Sequence, residues 1–288
     1  MKTLRRVLKY IGIALGLIVI GLAGWIGPMM WPKPQVYGKI PPQLPADMKK
    51  PAFLVFSKTN GFRNEESIQA GNKALVEIAQ KRGWGVYVTE NSAVFNPEQL
   101  AQFDTVIWDS VIGDVLTLDQ RQAFKAYLEG GGNFIGIHGA GGAPSYKWDW
   151  YADTLIGALF TGHTIWPHLQ TATVDIVDPQ HPAMAGLPAK WVTRDEWYSF
   201  DKSVRSKGYR ILATLDESTY KPRGLLFFSD IAMHTEHPLI WSHCIGRGRA
   251  FYSALGHAAE SFSIPLHRQM LENTMQWSAM EGPCDNGL

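Results

Sequence analysis

TLDQRQAFKAYLEGGGNFIGIHGA, residues 117–140, carries a helix, a stop and a strand in one line. Thr117 caps the helix, Phe124, Tyr127 and Leu128 fall on one side of it, and Gly130-Gly131-Gly132 ends it before the short strand Asn133–His138. A brief apolar strand entered from an amphipathic helix belongs to a parallel sheet covered on both faces. Upstream the alternation repeats: strand Ala52–Ser57, helix Glu66–Arg82 stopped by Gly83, strand Trp84–Thr89, short helix Pro97–Phe103 and strand Thr105–Asp109. Downstream the texture changes to strands with loop-rich connections, Leu169–Val177, Arg194–Phe200, Tyr209–Leu215, Pro238–Cys244 and Arg249–Leu255, closed by a helix over Ile264–Met280. The expected class is α/β, a doubly wound, mostly parallel sheet with helices on both faces.

The N-terminus reads differently. Tyr10–Trp31 is a run of 22 residues without a charge, long enough at about 1.5 Å per residue to cross a hydrocarbon core of roughly 30 Å. Four cations precede it (Lys2, Arg5, Arg6, Lys9), so residues 1–9 are expected in the cytoplasm, residues 10–31 in the bilayer, and the rest outside, in the periplasm if the cell is Gram-negative. The rival reading is a cleaved signal peptide, although the run exceeds the usual apolar core of such a peptide and no A-x-A site follows. Pro32, Pro34, Pro41, Pro42, Pro45 and Pro51 make residues 32–51 a stalk without helix or strand, and residues 52–288 a single domain. The formal charge of +1 hides a basic first 33 residues; beyond them 22 cations face 26 acids. That balance gives no electrostatic case for nucleic acid. Cys244 and Cys284 either bridge, in an oxidising compartment, or remain thiols.

In an open parallel sheet, ligands gather beyond the carboxyl ends of the strands. Gly136-Ile137-His138-Gly139-Ala140 therefore stands out, because the glycines permit a sharp turn that leaves an imidazole at the strand tip. No cysteine or G-x-S-x-G serine occupies that elbow, so thiol and α/β-hydrolase catalysis have no nucleophile here. Leu255-Gly256-His257 repeats the arrangement at the end of the last strand. In Thr193-Arg194-Asp195-Glu196-Trp197-Tyr198, a continuous strand would put Arg194, Glu196 and Tyr198 on one side, a clamp for sugar hydroxyls, with Asp195 and Trp197 on the other. His163 and His168 lack the spacing of H-E-x-x-H but remain available as ligands, and Trp166 between them is a candidate to stack on a sugar ring, as are Trp148 and Trp150. No Gly-rich phosphate loop occurs, so no nucleotide cofactor is expected.

Ser57-Lys58-Thr59-Asn60-Gly61-Phe62-Arg63 with Ser67-Ile68, Gly136-Ile137-His138, Leu155-Ile156-Gly157-Ala158 with Phe160 and His163, His181-Pro182, Asp195-Glu196-Trp197-Tyr198, His237-Pro238 with Trp241, and Gly248-Arg249 through Gly256-His257 occur in an order that resembles the ThuA-like (trehalose utilisation) domain. The resemblance covers about residues 52–280 and implies a flavodoxin-like fold similar to class I glutamine amidotransferases without their cysteine. It also implies a link to disaccharide or keto-sugar catabolism. One departure is Asn64-Glu65-Glu66, where similar proteins commonly have His after the Phe-Arg pair. The expected activity is acid/base cleavage or isomerisation of a sugar by His138, Glu196 and His257, which double as candidate ligands of one divalent Zn, Mn or Fe ion. Arg194, Tyr198, Trp166, His163 and His168 are the expected substrate contacts. The different-class alternative is a non-catalytic carbohydrate-binding or assembly module at the membrane surface.

Overall fold

The computed structural model describes residues 35–142, 147–225 and 229–285, with isolated positions between 6 and 21. The chain divides into two units, Met1–Gln35 and Val36–Leu288, and the second carries every described strand. Most of the expected anchor at 10–31 lies outside the described residues. Among those described, no helix is long and apolar enough to cross a membrane.

The Val36–Leu288 unit is built on β1 (Ala52–Phe56), α1 (Glu65–Arg82), β2 (Gly85–Thr89), α2 (Pro97–Leu100), β3 (Thr105–Asp109), α3 (Leu118–Glu129) and β4 (Asn133–Ile137). The second half adds β5 (Phe160–His163), β6 (Gln170–Ile176), β7 (Lys190–Asp195), β8 (Tyr198–Phe200), β9 (Arg210–Leu215), β10 (Pro238–Ile245), β11 (Gly248–Ser253) and α4 (Pro265–Ser278). Nine strands form one sheet in the order β2-β1-β3-β4-β11-β10-β9-β6-β7. The pairs from β2 to β11 are parallel and those from β11 to β7 antiparallel, so the doubly wound half continues into an antiparallel extension. Strand order reverses between β1 and β3, and the right-handed rule for parallel crossovers then assigns α1 to one face and α2 and α3 to the other.

Local chemistry sets the boundaries. Asn64 caps α1 by accepting from the Ser67 amide, and Gly83, at φ 71°, ends it in the left-handed conformation. Thr117 and Gln120 form a reciprocal capping box at the start of α3. The central strands β1, β3 and β4 are buried along their whole length, as strands covered on both faces must be.

Three expectations change. The strand Arg194–Phe200 does not exist as one piece: β7 ends at Asp195, the chain turns at Glu196-Trp197, and β8 leaves the main sheet to pair with β5. Among its described residues the stalk has no helix or strand, and from Val36 onward it is laid along the domain. Val36 exchanges two hydrogen bonds with the Asn60 side chain, the Gly38 amide donates to Ser92 Oγ, and the Asn91 and Gln99 amides hold the carbonyls of Ile40 and Pro42. The cysteine alternative resolves as a disulfide between Cys244, in β10, and Cys284 in the C-terminal tail.

Candidate active site

The carboxyl ends of β1, β3, β4 and β11 open into a cavity of about 520 Å³. Its wall is largely apolar, with Phe62, Ile112, Phe160 and Ile165 among the lining residues, and its polar groups concentrate around Glu196.

His138 occupies the first turn after β4 with φ 46°, a left-handed conformation that a side-chain-bearing residue adopts only when its surroundings enforce it. The surroundings do so from three directions. A Cβ at Gly141 would meet the Tyr252 ring at 2.5 Å and one at Gly142 the Tyr198 ring at 2.5 Å, so the turn fits only with glycine there. The Tyr252 hydroxyl donates to the His138 carbonyl (2.9 Å), and His138 Nδ1 lies 2.9 Å from the Ala254 carbonyl at the end of β11. A carbonyl can only accept, so Nδ1 carries a proton and Nε2 faces the cavity.

Glu196 follows from the end of β7. The Asp195 carboxylate, fully buried, accepts from the backbone amides of Gly256 (2.8 Å), His257 (3.0 Å) and Ala258 (3.0 Å) and from Ser261 Oγ (2.9 Å). It also accepts from the Glu196 amide at 2.9 Å. These bonds end the strand and tie the His257 loop to the Glu196 turn. Glu196 thus leaves the parity of Arg194 and points inward.

The result is one carboxylate among four imidazoles. Glu196 Oε2 lies 3.3 Å from His138 Nε2 and 3.1 Å from His257 Nδ1; Oε1 lies 2.8 Å from His163 Nδ1 and 2.5 Å from His168 Nε2. His138 Nε2 and His257 Nδ1 are 3.1 Å apart, and the Tyr198 hydroxyl lies 2.9 Å from His138 Nε2. Burial alone would push the Glu196 carboxyl up, but hydrogen bonds from the four histidines hold it far below the usual carboxylate range. Burial alone would lower His138 and His163; the hydrogen bond and charge of Glu196 outweigh it and raise both. Four imidazoles around a buried carboxylate suit a first-row divalent cation, whose charge would take the place of the protons that otherwise lie between them.

His138, Glu196 and His257 therefore meet in one cavity, with Tyr198, His163 and His168 beside them. Two expected contacts do not. Arg194 lies on the exposed face of β7 because the strand ends one residue later, and no Arg194–Glu196 pair forms. Trp166 does not line the cavity: its side chain is 47% exposed and its indole donates to the Leu225 carbonyl. Trp148 and Trp150 pack on each other, Trp148 also on Tyr151 and Arg121 and Trp150 under Lys125, rather than at the cavity. Sequence reasoning missed Asp195, whose signal was an acid at a buried strand position facing three consecutive loop amides. It also missed Asn64, which lines the cavity and donates to the His257 carbonyl at 3.0 Å. His237, bonded to the Tyr198 carbonyl at 2.7 Å, supports β8.

The profile of the family described as ThuA, trehalose utilisation, matches residues 52–278. The chain belongs to the ThuA family. Among solved structures, a ThuA-like protein of Bacteroides uniformis is 24% identical with a TM-score of 0.68, covering 83% of this chain and 97% of its own. A second, from Parabacteroides merdae, is 20% identical with a TM-score of 0.62 over 82% of this chain and 92% of its own. A cytoplasmic protein of Salmonella typhimurium shares the fold at 14% identity, TM-score 0.54, over 80% of this chain and all of its own. No curated protein sequence matches the chain. The ThuA match spans every strand of the nine-stranded sheet and all four histidines around Glu196, and it supports a carbohydrate-related role.

Proposed function

We propose that this ThuA protein is a membrane-tethered, metal-assisted carbohydrate-processing enzyme that cleaves or isomerises a disaccharide or keto-sugar. The observation that carries the reading is the buried Glu196 carboxylate ringed by four imidazoles inside a cavity at the strand ends. His138, His257 and Glu196 would hold the ion, their ligand atoms lying within 4.8 Å of one another. The chemistry such an ion would supply there is Lewis-acid polarisation of a sugar carbonyl or hydroxyl and stabilisation of charge on oxygen. The Tyr198 hydroxyl, 2.9 Å from His138 Nε2, is a proton carrier beside these residues. Phe62 and Phe160 supply flat apolar faces for a sugar ring.

The tether is residues 10–31, with the domain outside the cytoplasm. Support comes from the four-cation flank of an uncharged run and from the Cys244–Cys284 disulfide, a bond that persists in oxidising compartments. Elemental analysis of the purified full chain, with a turnover screen of disaccharides and their 3-keto forms, tests the reading. A bound transition ion and conversion of at least one sugar are expected. Sugar binding with neither metal nor turnover would instead establish a non-catalytic module.

A further inference from the structure

The four histidines do not surround Glu196 evenly. Each carboxylate oxygen has its own pair, Oε2 with His138 and His257 and Oε1 with His163 and His168. The two pairs form two separate triads with ligand atoms within 4.8 Å of one another, and Glu196 is the one member they share. We infer that Glu196 bridges two first-row divalent cations, an inner one on His138 and His257 and an outer one on His163 and His168. This rests on the metal-assisted reading above and adds the second ion.

Coordination chemistry favours two ions over one. A single tetrahedral ion has four positions, so five protein donors would exceed them and close the site to substrate, whereas catalytic ions keep about three protein ligands and an open position. Shared over two ions, each triad supplies three protein ligands and leaves that position free. Paired catalytic metals typically sit about 3.5–4 Å apart, a spacing that one carboxylate bridging through both oxygens serves. The His138 ring is prepared for the task, because the Ala254 carbonyl holds Nδ1 and turns Nε2 inward, the kind of outer support that metal-binding histidines carry.

The two halves differ in exposure. The His138 and His257 side chains are 4% and 12% exposed, and those of His163 and His168 32% and 47%. The outer ion is therefore bound more weakly and exchanges first. Two adjacent cations select a substrate with two neighbouring oxygens, such as a carbonyl beside a hydroxyl, one oxygen to each ion.

The test is metal stoichiometry on the full chain in detergent, stripped with chelator and then titrated with Zn²⁺ or Mn²⁺, followed by elemental analysis after desalting. Two equivalents are expected in the native sequence, and one in His168→Ala, whose side chain is half exposed; an unchanged unfolding midpoint shows that the variant is folded. His163→Asn should likewise retain one. With Mn²⁺, the native chain should give an exchange-coupled paramagnetic resonance spectrum, and His168→Ala the six-line signal of an isolated ion. One equivalent in the native chain overturns the second ion and leaves the metal-assisted reading standing. No bound metal overturns both.

Discussion

At the scale of single residues, Asp195 is the group on which the site geometry depends most. It does not itself line the cavity, yet it accepts three loop amides, a serine hydroxyl and the Glu196 amide. Asp195→Ala strands these donors in a dry environment and should cost about 3–5 kcal/mol in denaturant unfolding; a loss below about 1 kcal/mol would remove its positioning role. His181 sets an acid limb of stability. Its Nδ1 accepts from the Ala183 amide, its ring is buried, and burial with the nearby Arg210 charge lowers its pKa to about 4. The unfolded chain takes up that proton near pH 6.5, so the contribution is complete above 6.5 and is lost as pH falls from 6.5 to 4, by about 3 kcal/mol. In His181→Gln the difference in unfolding free energy between pH 7 and pH 4.5 should shrink by about 2 kcal/mol relative to the native chain; an unchanged difference would count against the buried neutral ring.

At the scale of elements, what was legible is what local chemistry decides. The βα units announce themselves through helical spacing, through caps such as Thr117 and through stops such as Gly83, all within a few residues. His138 and His257 were legible for the same reason, as imidazoles beside glycines at strand tips. The β7–β8 break was not, because the alternation from Lys190 to Phe200 continues through it; what cuts the strand is the Asp195 carboxylate bonding to amides more than sixty residues away. Glu196 was therefore assigned to a face shared with Arg194, and the two-stranded β5-β8 sheet that brings His163 beside Tyr198 was not foreseen. His168 reaches the same carboxylate from a loop with no periodic signal. The disulfide also joins elements, closing a 40-residue separation between β10 and the tail. Cys284→Ser should lower stability by about 3–4 kcal/mol on the chain-entropy account, and an unfolding midpoint equal to that of the oxidised native chain would contradict it.

At the scale of the whole molecule, composition and charge separated a basic apolar N-terminus from a mildly acidic domain. They did not reveal that the proline-rich segment packs on that domain, since its bonds are side-chain amides of Asn60, Asn91 and Gln99 reaching backbone carbonyls distant in sequence. With the tether as proposed, alkaline phosphatase fused after Leu288 should be active in cells; an inactive enzyme beside a fluorescent cytoplasmic fusion would reverse the orientation. The central claim is that the carboxylate at the meeting point of four histidines performs sugar chemistry. Glu196→Gln keeps the shape and removes the charge, so the most direct measurement is kcat/KM of the native and Glu196→Gln full chains across disaccharides and their 3-keto forms. The account predicts that the native chain converts at least one of them and that the variant, still folded, loses about a thousandfold or more, roughly 4 kcal/mol of transition-state stabilisation. Equal turnover by the two chains, or no turnover of any sugar by a folded, metal-loaded native chain, would contradict it.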